Sequence, residues 1–380
     1  MIGLYLHVPY CTVRCSYCDF YLVPGRRRDP SHYVAALRAE ILAAGREFPG
    51  RAADTVHLGG GTPSLLSLTH LGAILESLRS SFALAGDAEI TLEANPEDLD
   101  PERLLGYACA GVNRLTIGVQ ALDDALLRLM GRPHDARQAM AAVAAARRSP
   151  VQSVGVDMIL GLPGQHHATA LEGIARLADL GVDHVSLYLL EVHGDTRLGK
   201  DLARARRTPM DDDVAARLYE EAAEFLEGRG FEHYEISNFA RPGHRSRHNV
   251  KYWTDQEYLG FGPSAHSYVG GRRWANTSDL AAYLALGGDG CARIEDEHSL
   301  QLRAIEALLA GLRLADGVDL GVLRARYGSD FVPPDDAVIG GLTGAGLLAN
   351  ESGRLRLTRR GRLVSNEIFE RFLPPLSQLT

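Results

Sequence analysis

The chain has 380 residues, 46% apolar and 23% charged, the proportions of a folded globular protein rather than a disordered or fibrous one. Its length exceeds what one core usually serves, so a large domain plus a smaller one is expected. A formal charge of −8 and a pI near 6.0 argue against a general nucleic-acid binder, and no apolar run of about 18 residues offers a membrane span.

Apolar, β-rich runs recur at 2–8, 55–58, 89–93, 114–119, 153–160 and 184–191. Helical patterns fill the gaps at 31–48, 69–82, from 101 onward, 135–148, 168–180 and 211–227. Asp29-Pro30 marks one helix entry and Asp100-Pro101 another, while Gly228 and Gly230 stop the last. Such alternation gives a parallel sheet with helices outside. The runs read as apolar on both faces, as buried parallel strands do. Unusual residues gather at strand carboxyl ends: a cysteine loop after the first, Gly59-Gly60-Gly61-Thr62-Pro63 after the second, Glu93 closing the third and Gln120 the fourth. Asp157 lies in the fifth, ahead of Gly161-Leu162-Pro163-Gly164, and Tyr188 to Glu191 close the sixth. Ligand sites collect at this rim, and six strands converge on one point more readily when the sheet curls. The expected fold class is therefore α/β, a partial (β/α)6 barrel over residues 1–230.

Past this point the pattern changes. Residues 231–239 read as a further strand, 240–253 as a loop, 258–268 as a glycine-broken stretch and 280–286 as a short helix. With the linker Gly287-Gly288-Asp289-Gly290 they make an extension over 231–290. Residues 291–380 form a small α-rich unit with helices at 300–314, 320–327 and 337–348, a strand at 354–357 and a last helix at 361–372, a winged-helix-like order. Arg354, Arg356, Arg359, Arg360 and Arg362 give that unit a basic face, read as a solvated face or a domain contact.

The chemistry concentrates in Cys11-Thr12-Val13-Arg14-Cys15-Ser16-Tyr17-Cys18. Three of five cysteines in one octet suit a shared metal centre more than disulfides. No signal peptide is read at the N-terminus, and a reducing, cytoplasmic setting is expected. A closed zinc site needs four ligands, and Cys109 and Cys291 lack the paired spacing to supply one; a redox C-x2-C of Cys15 and Cys18 leaves Cys11 unexplained. A four-iron cubane on three cysteines leaves one iron for an exchangeable ligand. The spacing, with Tyr17 before the last cysteine, resembles the radical S-adenosylmethionine (SAM) superfamily, in which SAM fills that corner. The glycine triplet is either a tight turn or a place where a ligand touches backbone. It is no Walker loop, since no Gly-Lys-Ser/Thr follows. Glu93 and Asp157 are carboxylates in apolar strands that need partners, and Arg132 carries a planar fork suited to a carboxylate.

Leu4-Tyr5-Leu6-His7-Val8-Pro9, the octet, residues 59–63, Glu93-Ala94-Asn95-Pro96, residues 113–120, Arg132, Asp157 and residues 161–164 together resemble the coproporphyrinogen III oxidase-like radical SAM family over residues 2–380. The resemblance implies a [4Fe–4S] cluster on Cys11, Cys15 and Cys18. It also implies a SAM site lined by Tyr5, Tyr17, Gly60, Gly61, Thr62, Glu93, Gln120, Arg132 and Asp157. In such proteins an electron passed through the cluster cleaves SAM to methionine and a 5′-deoxyadenosyl radical. Two branches differ. The oxygen-independent oxidase of porphyrin biosynthesis has an added cysteine where Phe20 stands, and an N-terminal extension ahead of its first strand, whereas this sequence begins at the strand. The HemW-like haem chaperones carry His-Asn-x-x-Tyr-Trp, present here as His248-Asn249-Val250-Lys251-Tyr252-Trp253.

An imidazole can ligate haem iron, and Tyr252 and Trp253 offer flat faces to a macrocycle. Arg241, Arg245, Arg247 and Lys251 could meet its propionates. The same residues also suit a loop histidine capping a carbonyl, with the aromatics in the core. The branch implies a haem chaperone with haem as cargo and a haem-protein acceptor, such as a respiratory one; the alternative is coproporphyrinogen III decarboxylation. No nucleic-acid partner is expected. The electron donor, SAM turnover, covalent haem attachment, peripheral membrane association and a homodimer are left open by the sequence.

Overall fold

The computed structural model describes residues 1–25, 29–287, 294–296 (backbone alone), 299–328, 331 and 334–373. Cys291 and the linker residues Gly288, Asp289 and Gly290 lie outside them. Six parallel strands run side by side in chain order: β1 (Ile2–Val8), β2 (Ala52–Gly60), β3 (Ala83–Ala94), β4 (Arg114–Gln120), β5 (Ser153–Leu160) and β6 (His184–Leu189). The helices between them are α1 (Ser31–Glu47), α2 (Leu68–Ser81), α3 (Pro101–Ala110), α4 (Asp124–Met130), α5 (Ala136–Arg148) and α6 (His167–Asp179), and after β6 come α7 (Arg197–Ala203) and α8 (Asp212–Gly228). Ser67, Asp100, Asp135 and Asp211 cap the starts of α2, α3, α5 and α8 with their side-chain oxygens. The result is a partial (β/α)6 barrel followed by an α-rich C-terminal domain.

The strands are not apolar on both faces. Leu4, Leu6, Val56, Leu58, Ile90, Leu92, Leu115, Ile117, Val154, Val156, Val185 and Leu187 belong to one buried core with the helices. Their alternating neighbours Tyr5, His57, Glu93, Arg114, Thr116, Asp157, His184 and Ser186 instead line a cavity of about 300 Å³. Period-2 alternation therefore holds in every strand: the apolar set faces the helices, and the polar set fills the inside of the curl.

Both edges of this sheet are extended. Beyond β6 lies the antiparallel pair β7 (Glu232–Glu235) and β8 (Asn238–Ala240), so the single strand expected over 231–239 is a hairpin. Beyond β1 lies a seventh parallel strand, β9 (Tyr258–Phe261), then antiparallel β10 (His266–Val269), β11 (Arg272–Ala275) and β12 (Ile294–Asp296). Phe239, Leu259, Phe261 and Tyr283 share the barrel's core. The expected loop 240–253 holds a helix, α9 (Arg247–Trp253), whose start Ser246 Oγ caps by accepting the Asn249 N–H at 3.3 Å. Helix α9 lies against the amino-terminal ends of the strands. The Glu89 carboxylate accepts from the Arg247 and His248 backbone N–H groups at 3.1 and 3.0 Å.

The C-terminal residues have a core of their own, including Leu308, Leu312, Leu323, Ile339, Leu342 and Leu355. The expected helix 337–348 ends at Gly344, and Leu348–Glu351 instead pairs antiparallel with Arg354–Leu357. The last helix is broken at Val364 into Arg359–Leu363 and Ser365–Glu370. Most of the basic face is paired: Arg354 with Asp319, Arg356 with Glu351, and Arg359 with Glu224 and Glu227 of α8.

Candidate cluster and cofactor site

The cysteine loop leaves β1 at the carboxyl-terminal rim. Arg14 folds it back, donating to the carbonyls of Cys18, Phe20 and Leu22. The loop is pinned to the end of α4 and the start of α7: Ser16 N–H donates to Met130 O at 2.8 Å, Ser16 Oγ to Leu129 O at 3.0 Å, and Leu198 N–H to Ser16 O at 2.8 Å. Cys11, Cys15 and Cys18 are free thiols lining one pocket, a cavity of about 130 Å³. Tyr17, Gly60, Gly61, Thr62, Glu93, Gln120, Arg132 and Asp157 line the same pocket. Of the nine residues expected at the SAM site only Tyr5 does not; it lies one wall deeper, in the two neighbouring cavities.

The side chains are fixed by their own bonds. Thr62 Oγ1 lies 3.2 Å from Cys11 Sγ. Arg132 donates to Asn95 Oδ1 at 2.6 Å, to Gly118 O at 2.8 Å and to Cys15 Sγ at 3.6 Å. In place of the expected carboxylate, Arg132 therefore meets an amide, a carbonyl and a thiol, and Asn95, part of the Glu93-Ala94-Asn95-Pro96 stretch, joins the site as its partner. His57 Nε2 donates to Glu93 Oε1 at 2.8 Å. Burial, then the nearby Glu93 charge, pushes the Asp157 carboxyl up to about 7, and its Oδ1 has no hydrogen-bond partner among the described residues. Gln120 adopts φ 67, a left-handed backbone that is strained for a side-chain-bearing residue.

The glycine triplet serves the chain itself. A Cβ on Gly61 would lie 2.6 Å from Tyr10 O, and one on Gly59 2.9 Å from Glu93 Oε1. At Gly60 it would lie 2.7 Å from the His7 ring, and the φ of 101 there also demands glycine.

The donor set fits an iron–sulfur cluster. The three thiols line one pocket without meeting at a point, and among the described residues no closed cage of three metal-binding groups forms. A cubane takes one thiolate on each of three irons rather than three on one ion, which three cysteines around one pocket can supply.

The His248 motif is placed elsewhere. His248 is fully buried, with Nδ1 2.8 Å from Thr55 Oγ1 and Nε2 2.8 Å from the Tyr252 hydroxyl. Burial, then the His57 and Lys251 charges, holds it well below the usual imidazole range. This conformation offers no free nitrogen to haem iron. Trp253 faces away from these cavities, with the Arg313 guanidinium 4.4 Å from its ring centroid. The cations expected at propionates are engaged too: Arg241 with Val182 O, Arg245 with Glu232, Arg247 with Asp87 and Lys251 with Asp54.

Residues 5–177 match the profile of the Radical SAM superfamily, and residues 299–364 that of the HemN C-terminal domain. The heme chaperone HemW of Mycobacterium tuberculosis is 36% identical over 376 residues, 98% of this chain and 94% of that one. The HemW of Bacillus subtilis is 32% identical over 381 residues, 99% of this chain and 100% of that one. The chain belongs to the HemW family. Its fold also matches the solved structure of Escherichia coli coproporphyrinogen III oxidase (HemN), a radical SAM enzyme, with a TM-score of 0.85 over 98% of this chain and 89% of that one. At 24% identity that likeness speaks for the fold alone. A [4Fe–4S] cluster and SAM are what the radical SAM superfamily implies for this HemW-family chain, and among its described residues no helix is long and apolar enough to cross a membrane.

Proposed function

We propose that this chain is a haem chaperone that carries a [4Fe–4S] cluster on Cys11, Cys15 and Cys18, binds SAM beside it, and hands haem to an acceptor haem protein in the cytoplasm. The observation carrying the reading is a shared wall. Gly60 and Glu93 border the cysteine pocket and also a second cavity, of about 380 Å³, lined by Tyr5, Phe20, Tyr21, Tyr252 and Tyr258. Aromatic faces suit a macrocycle, and a wall common to both cavities lets occupancy of one bear on the other. The full-length relatives named as heme chaperones support the same assignment.

When bound, the cluster supplies an exchangeable iron corner and a route for an electron. Arg132, Asn95 and Thr62 orient and shield the thiols. Glu93, Asp157, Gln120, Tyr17 and the backbone of Gly60 and Gly61 receive SAM, with Tyr5 behind them.

The test is transfer. Anaerobically reconstituted protein loaded with haem is mixed with an apo haem protein, and the Soret band is followed. Transfer faster than from free haem, dependent on an intact cluster, is expected. Failure to take up haem, or catalytic conversion of coproporphyrinogen III to protoporphyrinogen IX, overturns the proposal.

A further inference from the structure

We infer that haem iron is ligated by His266 in the aromatic cavity, and that His248 is a positioning residue holding Tyr252 in that cavity's wall. This rests on the haem-chaperone reading and names the ligand it needs. Two imidazoles line the cavity. His7 is spent: its Nε2–H donates to Tyr21 O at 3.0 Å, and its Nδ1 accepts from the Tyr5 hydroxyl at 3.2 Å. His266 is exposed, and among the described residues its ring makes no hydrogen bond or ion pair. An imidazole nitrogen without a protein partner, at the mouth of an aromatic cavity, is open to a haem iron.

The fold goes to some length to put it there. His266 opens β10, directly beside β9, and any Cβ on Gly260 would run into the His266 carbonyl. The turn between the two strands holds Ser264 at φ 63, with its N–H donating to Thr277 O at 2.9 Å. A non-glycine residue kept in the left-handed region marks a turn fixed by its surroundings. Opposite stands Tyr252, its ring edge-on to Tyr258 at 4.7 Å and its hydroxyl on His248 Nε2. The motif histidine thus sets the angle of the wall that its tyrosine presents.

Phe20 completes the rim with 63% of its surface exposed, a large apolar face turned to solvent at the cavity. The cavity is small for a whole macrocycle, so it takes one edge and leaves the other accessible to an acceptor. The bond formed is a dative one from an imidazole nitrogen to iron, and its reversal releases the cargo without redox change.

The experiment titrates hemin into the full-length, cluster-reconstituted protein and its His266→Ala and His248→Ala variants, reading the Soret band and the electron paramagnetic resonance of the iron. His266→Ala is expected to lose the histidine-ligated signature and about tenfold or more in affinity, and added imidazole is expected to restore the signature. His248→Ala is expected to keep the signature and bind more weakly, through a loosened Tyr252. Retained cluster absorbance checks that each variant folds. A wild-type spectrum in His266→Ala, or loss of the signature in His248→Ala alone, overturns the ligand assignment while haem binding stands. A wild-type protein that takes up no hemin overturns the chaperone reading and this one with it.

Discussion

His57 Nε2 and Glu93 Oε1 meet at 2.8 Å across β2 and β3, and Glu93 borders the cysteine pocket, the polar interior and the aromatic cavity together. A partly exposed pair of this kind adds little to stability, about 1 kcal/mol or less, so its worth lies in what it presents to ligands. Glu93→Gln is expected to unfold in urea within about 1 kcal/mol of the wild type. Its SAM affinity should fall about tenfold or more, through loss of a charged acceptor. Titration calorimetry with SAM checks this; an unchanged affinity removes Glu93 from the site.

Gly60 carries both a left-handed backbone and a close neighbour. Alanine there would press its Cβ to 2.7 Å from the His7 ring, whose bond to Tyr21 O helps hold the segment after the cysteines. Gly60→Ala should cost about 1–3 kcal/mol and speed cluster loss to a chelator. Gly50 is the control, with φ 71 and nothing within 4 Å of a built Cβ: Gly50→Ala should cost only the backbone strain, about 1 kcal/mol, with cluster lifetime unchanged. Equal cluster lifetimes in the two variants would sink the packing argument.

The sequence made the rim legible because its chemistry sits in short local patterns. The three cysteines of the C-x3-C-x2-C octet, Gly60 to Thr62, Glu93, Gln120 and Asp157 each close or interrupt an apolar run, and the structure brings them to one pocket. The barrel interior was legible in principle: Thr55, His57, Thr91, Thr116 and Ser186 alternate with apolar residues in β2, β3, β4 and β6, a period-2 signal masked by the abundance of Val, Leu and Ile. Helix α9 could not be read locally. Its histidine is satisfied by Thr55, 193 residues earlier, and its first backbone N–H by Glu89, 158 residues earlier. Nothing within seven polar and aromatic residues reveals such partners.

The Asp157 carboxyl, raised from 3.8 to about 7 by burial and then by the Glu93 charge, predicts a pH effect on stability. The folded value lies above the unfolded one, so the native state binds more protons between these limits. The corresponding stability is present below the unfolded value and is lost as pH rises through about 7. Relative to Asp157→Asn, the wild type should therefore lose about 1–3 kcal/mol between about pH 5 and pH 8. Urea unfolding of both proteins at the two pH values measures it, and a difference that stays flat with pH contradicts a buried, proton-binding Asp157.

Removal of single thiols separates the cluster ligands from the other cysteines. Cys11, Cys15 and Cys18 line one pocket, whereas Cys109 is exposed on α3. Cys11→Ala, Cys15→Ala and Cys18→Ala are each expected to lose the cubane's visible absorbance and most of their iron and sulfide after anaerobic reconstitution; Cys109→Ala should match the wild type. Because bound metal contributes its binding free energy to the folded state, stripping the wild-type cluster should lower Tm toward that of the three variants. The loop from Cys11 to Leu22 should become the first segment cut by protease, since it then keeps only hydrogen bonds such as those of Arg14 and Ser16 where the cluster had tied its three cysteines together. Iron retained at wild-type levels in any of the three variants would show that its cysteine is not a ligand.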